Sequence, residues 1–279
     1  MLPVATLDHV VISARDDLDR AAEVYRGLGF TLTDRGYHSL GSMNHLAIFG
    51  TDYLELIAAP KGEMSGRLAF LQGPGGLSGL VIGSEDSTAT YGALNTAGVL
   101  FEPPVEFTRP VKFSGGEGEA RFRAVRLKEG VVPYGRVFYC HHFTRNLVWR
   151  DEWRHHPNGV VAVVRALIVE PDPAAAAELY ADMLGHDAIR DIAGGKRVVL
   201  GNSTFDIVTQ DELRAQFGEH VPDAEGRQAY MAGLTLRTTS ITKALGVLRD
   251  AQIPIAMTNE RRVVVPARHA LNAVLEFVE

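Results

Sequence analysis

One cysteine, Cys140, in 279 residues leaves no partner for an intrachain disulfide and no set of thiolates for a cysteine-only zinc site, which fits a reducing compartment. There is no apolar run long enough to span a bilayer and no block of lysine or arginine. The formal charge of −6 offers no electrostatic basis for gripping phosphate backbones or anionic membrane surfaces, so nucleic acid and membrane are not expected partners. The opening MLPVATLDHVV has no basic region followed by an apolar segment and a small-residue cleavage site, so a cytoplasmic location is expected. Only two tryptophans occur, Trp149 and Trp153, four apart with Leu147 nearby. That spacing predicts one face of a short helix bridging two halves of the chain.

What is present is a repeating order of elements. Residues 7–13, LDHVVIS, are apolar and β-branched, and the segment after them switches to helical spacing, with Leu18, Ala21, Ala22, Tyr25 and Leu28 on one face. Asp16, Asp17 and Asp19 suit the positive end of that helix, and Gly29 can adopt the left-handed backbone that stops it. A short strand is expected from Phe30, then two strands in NHLAIFGTDYLELIA joined by a turn around Gly50 to Asp52. The order returns from residue 160: Ala-Ala-Glu-Leu-Tyr at 176–180 matches Ala-Ala-Glu-Val-Tyr at 21–25, and Leu184-Gly185 matches Leu28-Gly29. Two weaker copies start at GLSGLVIG (76–83) and MAGLTLRT (231–238), so four modules are expected. RHHPNG (154–159) has the turn-rich character of a linker.

Strand-helix-strand-strand-strand modules with a DHV opening strand, a tyrosine helix ending in Leu-Gly-Phe and YLELI in the fourth strand resemble the vicinal oxygen chelate superfamily. That superfamily contains glyoxalase I, extradiol dioxygenases and the bleomycin and fosfomycin resistance proteins. GYHSLGSMNHLAIFGTDYLELIA (36–58) and FYCHHFTRNLVWRDEWRHHPNG (138–159) most resemble its glyoxalase-like domain proteins. The resemblance implies an α+β fold of four βαβββ modules paired into two half-open barrels: residues 1–145, a linker at 146–159, and residues 160–279. It implies no single chemistry, because one fold hosts many.

The resemblance places metal ligands on the first and fourth strands of paired modules, which here gives His9 and Glu55. Imidazole plus carboxylate with open positions suits Fe, Mn, Zn or Ni acting on an oxygen-rich substrate. Glu55 sits among apolar neighbours, where an unpaired carboxylate would be costly to bury, so it needs a partner. A metal shared with His9 is one solution; a hydrogen bond from His9 or His45 is the other. In the second module the first-strand position falls on Gly79, which has no donor to give. Alternation along VFYCHHF puts Phe138, Cys140 and His142 on one face and Tyr139 and His141 on the other. His142 is the favoured third ligand, His141 its substitute if the register slips by one, and ordinary packing accounts equally well for either.

His45 and His38 are candidate cleft residues for support or substrate contact, and Tyr139 or Arg123 for binding a substrate carboxylate. In residues 160–279 the matching positions carry Arg165, Asp206, Gly233 and Glu276, a set better suited to a buried salt bridge than to a metal. A carboxylate pocket around Arg165 is the minor alternative. Cys140 beside His141 is not a nucleophile and its base, since strand neighbours point to opposite faces, and GPGG (73–76) lacks the flanks of a phosphate loop. Two functions follow. One is a metal-dependent lyase, isomerase or dioxygenase in which Glu55 or a nearby histidine moves a proton; the other is a metal-free small-molecule binding protein. Either is compatible with a monomer or a homodimer.

Overall fold

The computed structural model describes residues 5–279 and contains the four modules in chain order. The first comprises β1 (Leu7–Ser13), α1 (Leu18–Gly27), β2 (Gly36–Tyr37), β3 (Met43–Ile48) and β4 (Tyr53–Ala58). The second comprises β5 (Gly76–Gly83), α2 (Ser87–Thr96), β6 (Val105–Phe113), β7 (Gly116–Arg126) and β8 (Arg136–His142). In the third, β9 (Val160–Val169) and α3 (Pro173–Leu184) precede β10 (Ile189–Ile192), β11 (Gly195–Leu200) and β12 (Ser203–Val208), and an extra helix, α4 (Gln210–Phe217), follows. The fourth comprises β13 (Tyr230–Thr238), α5 (Ile241–Asp250), β14 (Met257–Asn259), β15 (Arg262–Val265) and β16 (Val274–Val278).

Side-chain caps fix where the crossover helices begin. Asp17, Asp86, Asp172 and Ser240 each accept hydrogen bonds from backbone N–H groups in the first turn, and Pro173 starts α3, where its missing N–H is not needed. Each pair of modules makes one sheet: β2-β3-β4-β1-β5-β8-β7-β6 and β10-β11-β12-β9-β13-β16-β15-β14. In both, the opening strands of the two modules pair antiparallel at the centre, so each sheet curls into a half-open barrel with an approximate internal twofold.

Strand alternation sorts side chains into two interiors. Val10, Ile12 and Tyr139 of the first sheet and Val163, Ile168 and Phe277 of the second share one apolar core with the helices, including Tyr25 and Tyr180. The opposite, concave faces hold separate clusters. Polar links join the halves as well. His156 takes Thr31 N–H at 3.0 Å on Nδ1 and reaches the Ile48 carbonyl at 2.8 Å through Nε2, while Asp52 accepts Val163 N–H at 2.8 Å.

Two local expectations are corrected. No strand starts at Phe30; the second strand is only Gly36–Tyr37, because Thr31 N–H goes to His156 instead of a ladder partner and Phe30 turns into the shared core. The tryptophans do not bridge the halves. Trp149 and Trp153 lie in or beside 3₁₀ turns and join the first sheet's concave cluster, Trp149 edge-on to Tyr53 and His142.

Candidate functional site

The concave face of the first sheet encloses a cavity of about 800 Å³, with His9, Glu55, His38, Asn44, Tyr53 and Phe138 in its wall. Strand pairing explains who faces it. On parallel β1 and β4, Val11 pairs with Glu55, and on parallel β5 and β8, Val81 pairs with Phe138. The central pairs Val11 with Gly79 and His9 with Val81 complete the internal twofold. Under it, Gly79 is the counterpart of His9, and Phe138 that of Glu55. Glycine at 79 is required by close approach, since a Cβ there would lie 2.8 Å from the Val11 Cβ.

His9 Nε2 lies 3.7 Å from Glu55 Oε2, and both side chains are almost fully buried. Each is held from behind. His9 Nδ1 donates to Asp8 Oδ1 at 2.6 Å, which leaves Nε2 as the atom facing Glu55, and Tyr53 stacks on the ring at 4.3 Å. Glu55 Oε1 accepts from Asn44 Nδ2 at 2.6 Å; the same amide reaches His38 Nε2 at 3.3 Å, and its oxygen takes Arg109 Nη1 at 3.3 Å. Gly36 leaves the room Arg109 needs, because a Cβ there would meet Asn44 Oδ1 at 2.4 Å and Arg109 Cδ at 2.5 Å.

Asp8 is a hub that alternation in the sequence conceals. A bulge between Leu7 and His9 sends Leu7 and Val10 to the shared core and leaves Asp8 and His9 together on the concave side. Asp8 Oδ1 also accepts from His142 Nε2 at 3.0 Å. Burial alone opposes ionisation of Asp8, yet the charge and hydrogen bonds of His142 and then His9 outweigh it and hold the carboxyl below the usual range. Burial, with help from Arg109 and His9 and against Glu55, lowers the His38 imidazole to about 4, so His38 is neutral near pH 7.

The sequence-derived candidates therefore separate. His9, Glu55 and His38 meet around Asn44. His142 shares the face of Phe138 and Cys140, as alternation requires, but it bonds to Asp8 behind His9, and its Nδ1 is buried without a partner. His141 turns the other way and contacts Ser87 at the start of α2. Tyr139 lies in the shared core, and His45 faces away from the cavity with Nδ1 on the Thr33 carbonyl at 2.8 Å. Arg123 pairs with Glu106. Asp8, Asn44 and Arg109 were not singled out from sequence; the only trace of Arg109 is a cation among the alternating apolar residues of VEFTRPVKF.

The donor set can be tested for a divalent ion. Two ligands about 2.1 Å from one tetrahedral ion lie roughly 3.4 Å apart, close to the His9–Glu55 spacing, and a carboxylate on the far nitrogen is the usual orienter of a ligating histidine. Gly79 and Phe138 add nothing. The arrangement therefore fits an ion held by two protein groups with its remaining positions open, not a closed four-ligand centre. Asp8, Cys140 and His142 also bring one ligand atom each within 4.8 Å of one another. There, however, Asp8 Oδ1 is already shared by two imidazoles, and burial pushes the Cys140 thiol up, which favours a hydrogen-bonded support.

Comparison with known proteins agrees with this architecture. The glyoxalase-like domain family matches residues 7–184. Among solved structures, a hypothetical protein from Staphylococcus aureus superposes with a TM-score of 0.69 at 13% identity, covering 98% of this chain and 99% of that one. A mutant of 4-hydroxymandelate synthase from Streptomyces coelicolor gives 0.61 at 12% identity, over 100% of this chain and 93% of the other. A fusion of a xylose isomerase-like TIM barrel with 4-hydroxyphenylpyruvate dioxygenase gives 0.61 at 14% identity, over 100% of this chain and 50% of the fusion. At such identities these likenesses establish the fold alone. No curated protein matches the chain. No helix among the described residues is long and apolar enough to cross a membrane.

Proposed function

The chain belongs to the glyoxalase-like domain family, and we propose that it is an enzyme acting on a small oxygen-rich molecule at the Glu55 end of the first cavity, with a divalent ion between His9 and Glu55. The observation that carries this reading is the 3.7 Å approach of His9 Nε2 to Glu55 Oε2 on the cavity wall, each side chain fixed from behind. Such an ion, when bound, acts as a Lewis acid on substrate oxygens. Asp8 fixes the hydrogen of His9 on Nδ1, so Nε2 keeps its lone pair toward the cavity. Asn44 anchors Glu55 Oε1 and so aims Oε2 at His9 Nε2, where it would hold the ion when one is bound and would take a proton from a substrate carbon or hydroxyl only on leaving that ion. Neutral His38 completes the polar wall without adding charge. Of lyase, isomerase and dioxygenase chemistry, proton transfer is the kind this carboxylate is built to serve.

Gly79 and Phe138 at the matching positions of the second module favour one competing reading, a metal-free binding protein with the same cavity. Calorimetric titration of Mn(II) into the metal-stripped chain separates the two. The enzyme reading expects one saturable site, lost in His9→Ala. Absence of saturable binding in the wild type leaves only the binding protein.

A further inference from the structure

The wall of the same cavity around Phe138 carries two cations that carboxylates, Glu102 first, influence without contacting. Arg136 precedes Phe138 by two residues on β8 and shares its face, and Arg126 on β7 lies directly across from Phe138. Arg136 stacks on the Phe70 ring at 4.2 Å, and Arg126 lies 6.0 Å from the Phe107 ring. Neither guanidinium forms an ion pair among the described residues, although Glu102 and Glu129 also line the cavity, and Arg126 Nε is buried without a hydrogen-bond partner. Arg109, itself 2% exposed, sits on the Glu55 side of the same cavity, where its Nη1 reaches Asn44, and keeps an unpartnered Nε and Nη2. Unpaired guanidinium groups out of water are costly unless something negative joins them.

We propose that Arg126 and Arg136 form an oxyanion subsite, so that the molecule taken by this cavity carries a carboxylate or phosphate group on an apolar or aromatic body. The proposal rests on the reading of this cavity as the substrate site and adds the charge class of what enters it. Planar guanidinium forks suit a planar or tetrahedral oxyanion, and the rings of Phe70, Phe107 and Phe138 give its apolar part a surface. Arg126 also weakens the protonation of Arg136. Burial first and Arg126 second bring Arg136 down to about 10, and an anion between them relieves that repulsion. With the oxyanion held there, the far end of the molecule points across the cavity to Glu55 and His9.

The test is titration of the full chain in EDTA with benzoate, with phenyl phosphate, and with benzamide as the uncharged comparison, followed by the NMR signals of the arginine Nε–H groups. At least one anion is expected to saturate below about 10 mM and to shift the Arg126 and Arg136 signals, with benzamide at least tenfold weaker. Preference for benzoate assigns the group as carboxylate, preference for phenyl phosphate as phosphate. Arg136→Gln and Arg126→Gln should each weaken the anion about tenfold or more, while Glu55→Gln retains it. No saturation by either anion, equal binding of benzamide, or unchanged affinity in both arginine variants overturns the subsite. If the glutamine variants lose their native spectra, unmoved wild-type Nε–H signals overturn it instead. Because no metal is present, failure here with Mn(II) binding intact removes only the anion subsite; anion binding without Mn(II) binding removes only the metal reading.

Discussion

The two halves of the molecule answer the same structural position differently. In the first sheet the four matched positions hold His9, Glu55, Gly79 and Phe138, and the strand register of the second sheet puts Arg165, Asp206, Gly233 and Glu276 in the same places. Arg165 closes its own site: it reaches Glu276 at 2.8 Å, Thr235 at 3.0 Å, Gln216 at 3.3 Å and Asp206 at 3.4 Å. Arg197 binds both Asp206 oxygens at 2.7 and 2.8 Å, and Arg262 pairs with Glu276. Helix α4, which has no α-helical counterpart after β4, then fills this concavity with Leu213 and Phe217. The first half has a short 3₁₀ turn, Gly66–Leu71, at that point in the chain and keeps its cavity. Satisfied charges under a plug make structure, while half-satisfied charges around an open space make a site.

Exchanging single atoms at matched positions tests that contrast. Glu55→Gln should lower turnover about a hundredfold to ten-thousandfold with little change in melting temperature, measured once a turned-over substrate is in hand. Its counterpart Asp206→Asn should do the reverse, leaving turnover intact and destabilising the chain by about 3–5 kcal/mol in denaturant unfolding, because Arg165 and Arg197 lose a buried partner. A turnover loss in Asp206→Asn would break the contrast.

The link between the halves is pH-sensitive. Burial raises Asp52 to about 7, only partly opposed by the Val163 N–H. The folded chain therefore keeps a proton that the unfolded chain releases between about pH 4 and pH 7, so this group favours folding most at acid pH and the advantage disappears as pH rises through 7. Asp52→Asn keeps an acceptor for Val163 and should flatten that dependence, a difference on the order of 2–4 kcal/mol between pH 4 and pH 8 in urea unfolding. Asp8→Asn removes the negative charge behind His9 and should weaken metal binding about 10–100-fold, with no effect on the Arg165 network.

The repeat of elements was legible in the sequence because helices and strands announce themselves by period, and because Ala-Ala-Glu-Val-Tyr and its later copy mark matched helices. His9 and Glu55 were legible for a similar reason: polar residues inside apolar strands stand out. Asp8 was not, since one inserted residue in β1 moves it to a face that strict alternation denies it. His142 followed alternation faithfully and still fell short of the cavity, because the internal twofold places Phe138, not His142, opposite Glu55. Arg126 and Arg136 come from different strands, and only the register of β7 and β8 gathers them, while Arg109 reaches Asn44 from β6.

Where an ion sits tests the His9–Glu55 pair most directly. Anomalous scattering from crystals grown with Mn(II) should place one peak between His9 Nε2 and Glu55 Oε2, with none in the Arg165 network. A peak among Asp8, Cys140 and His142, or no peak at full Mn(II) loading, would contradict that reading.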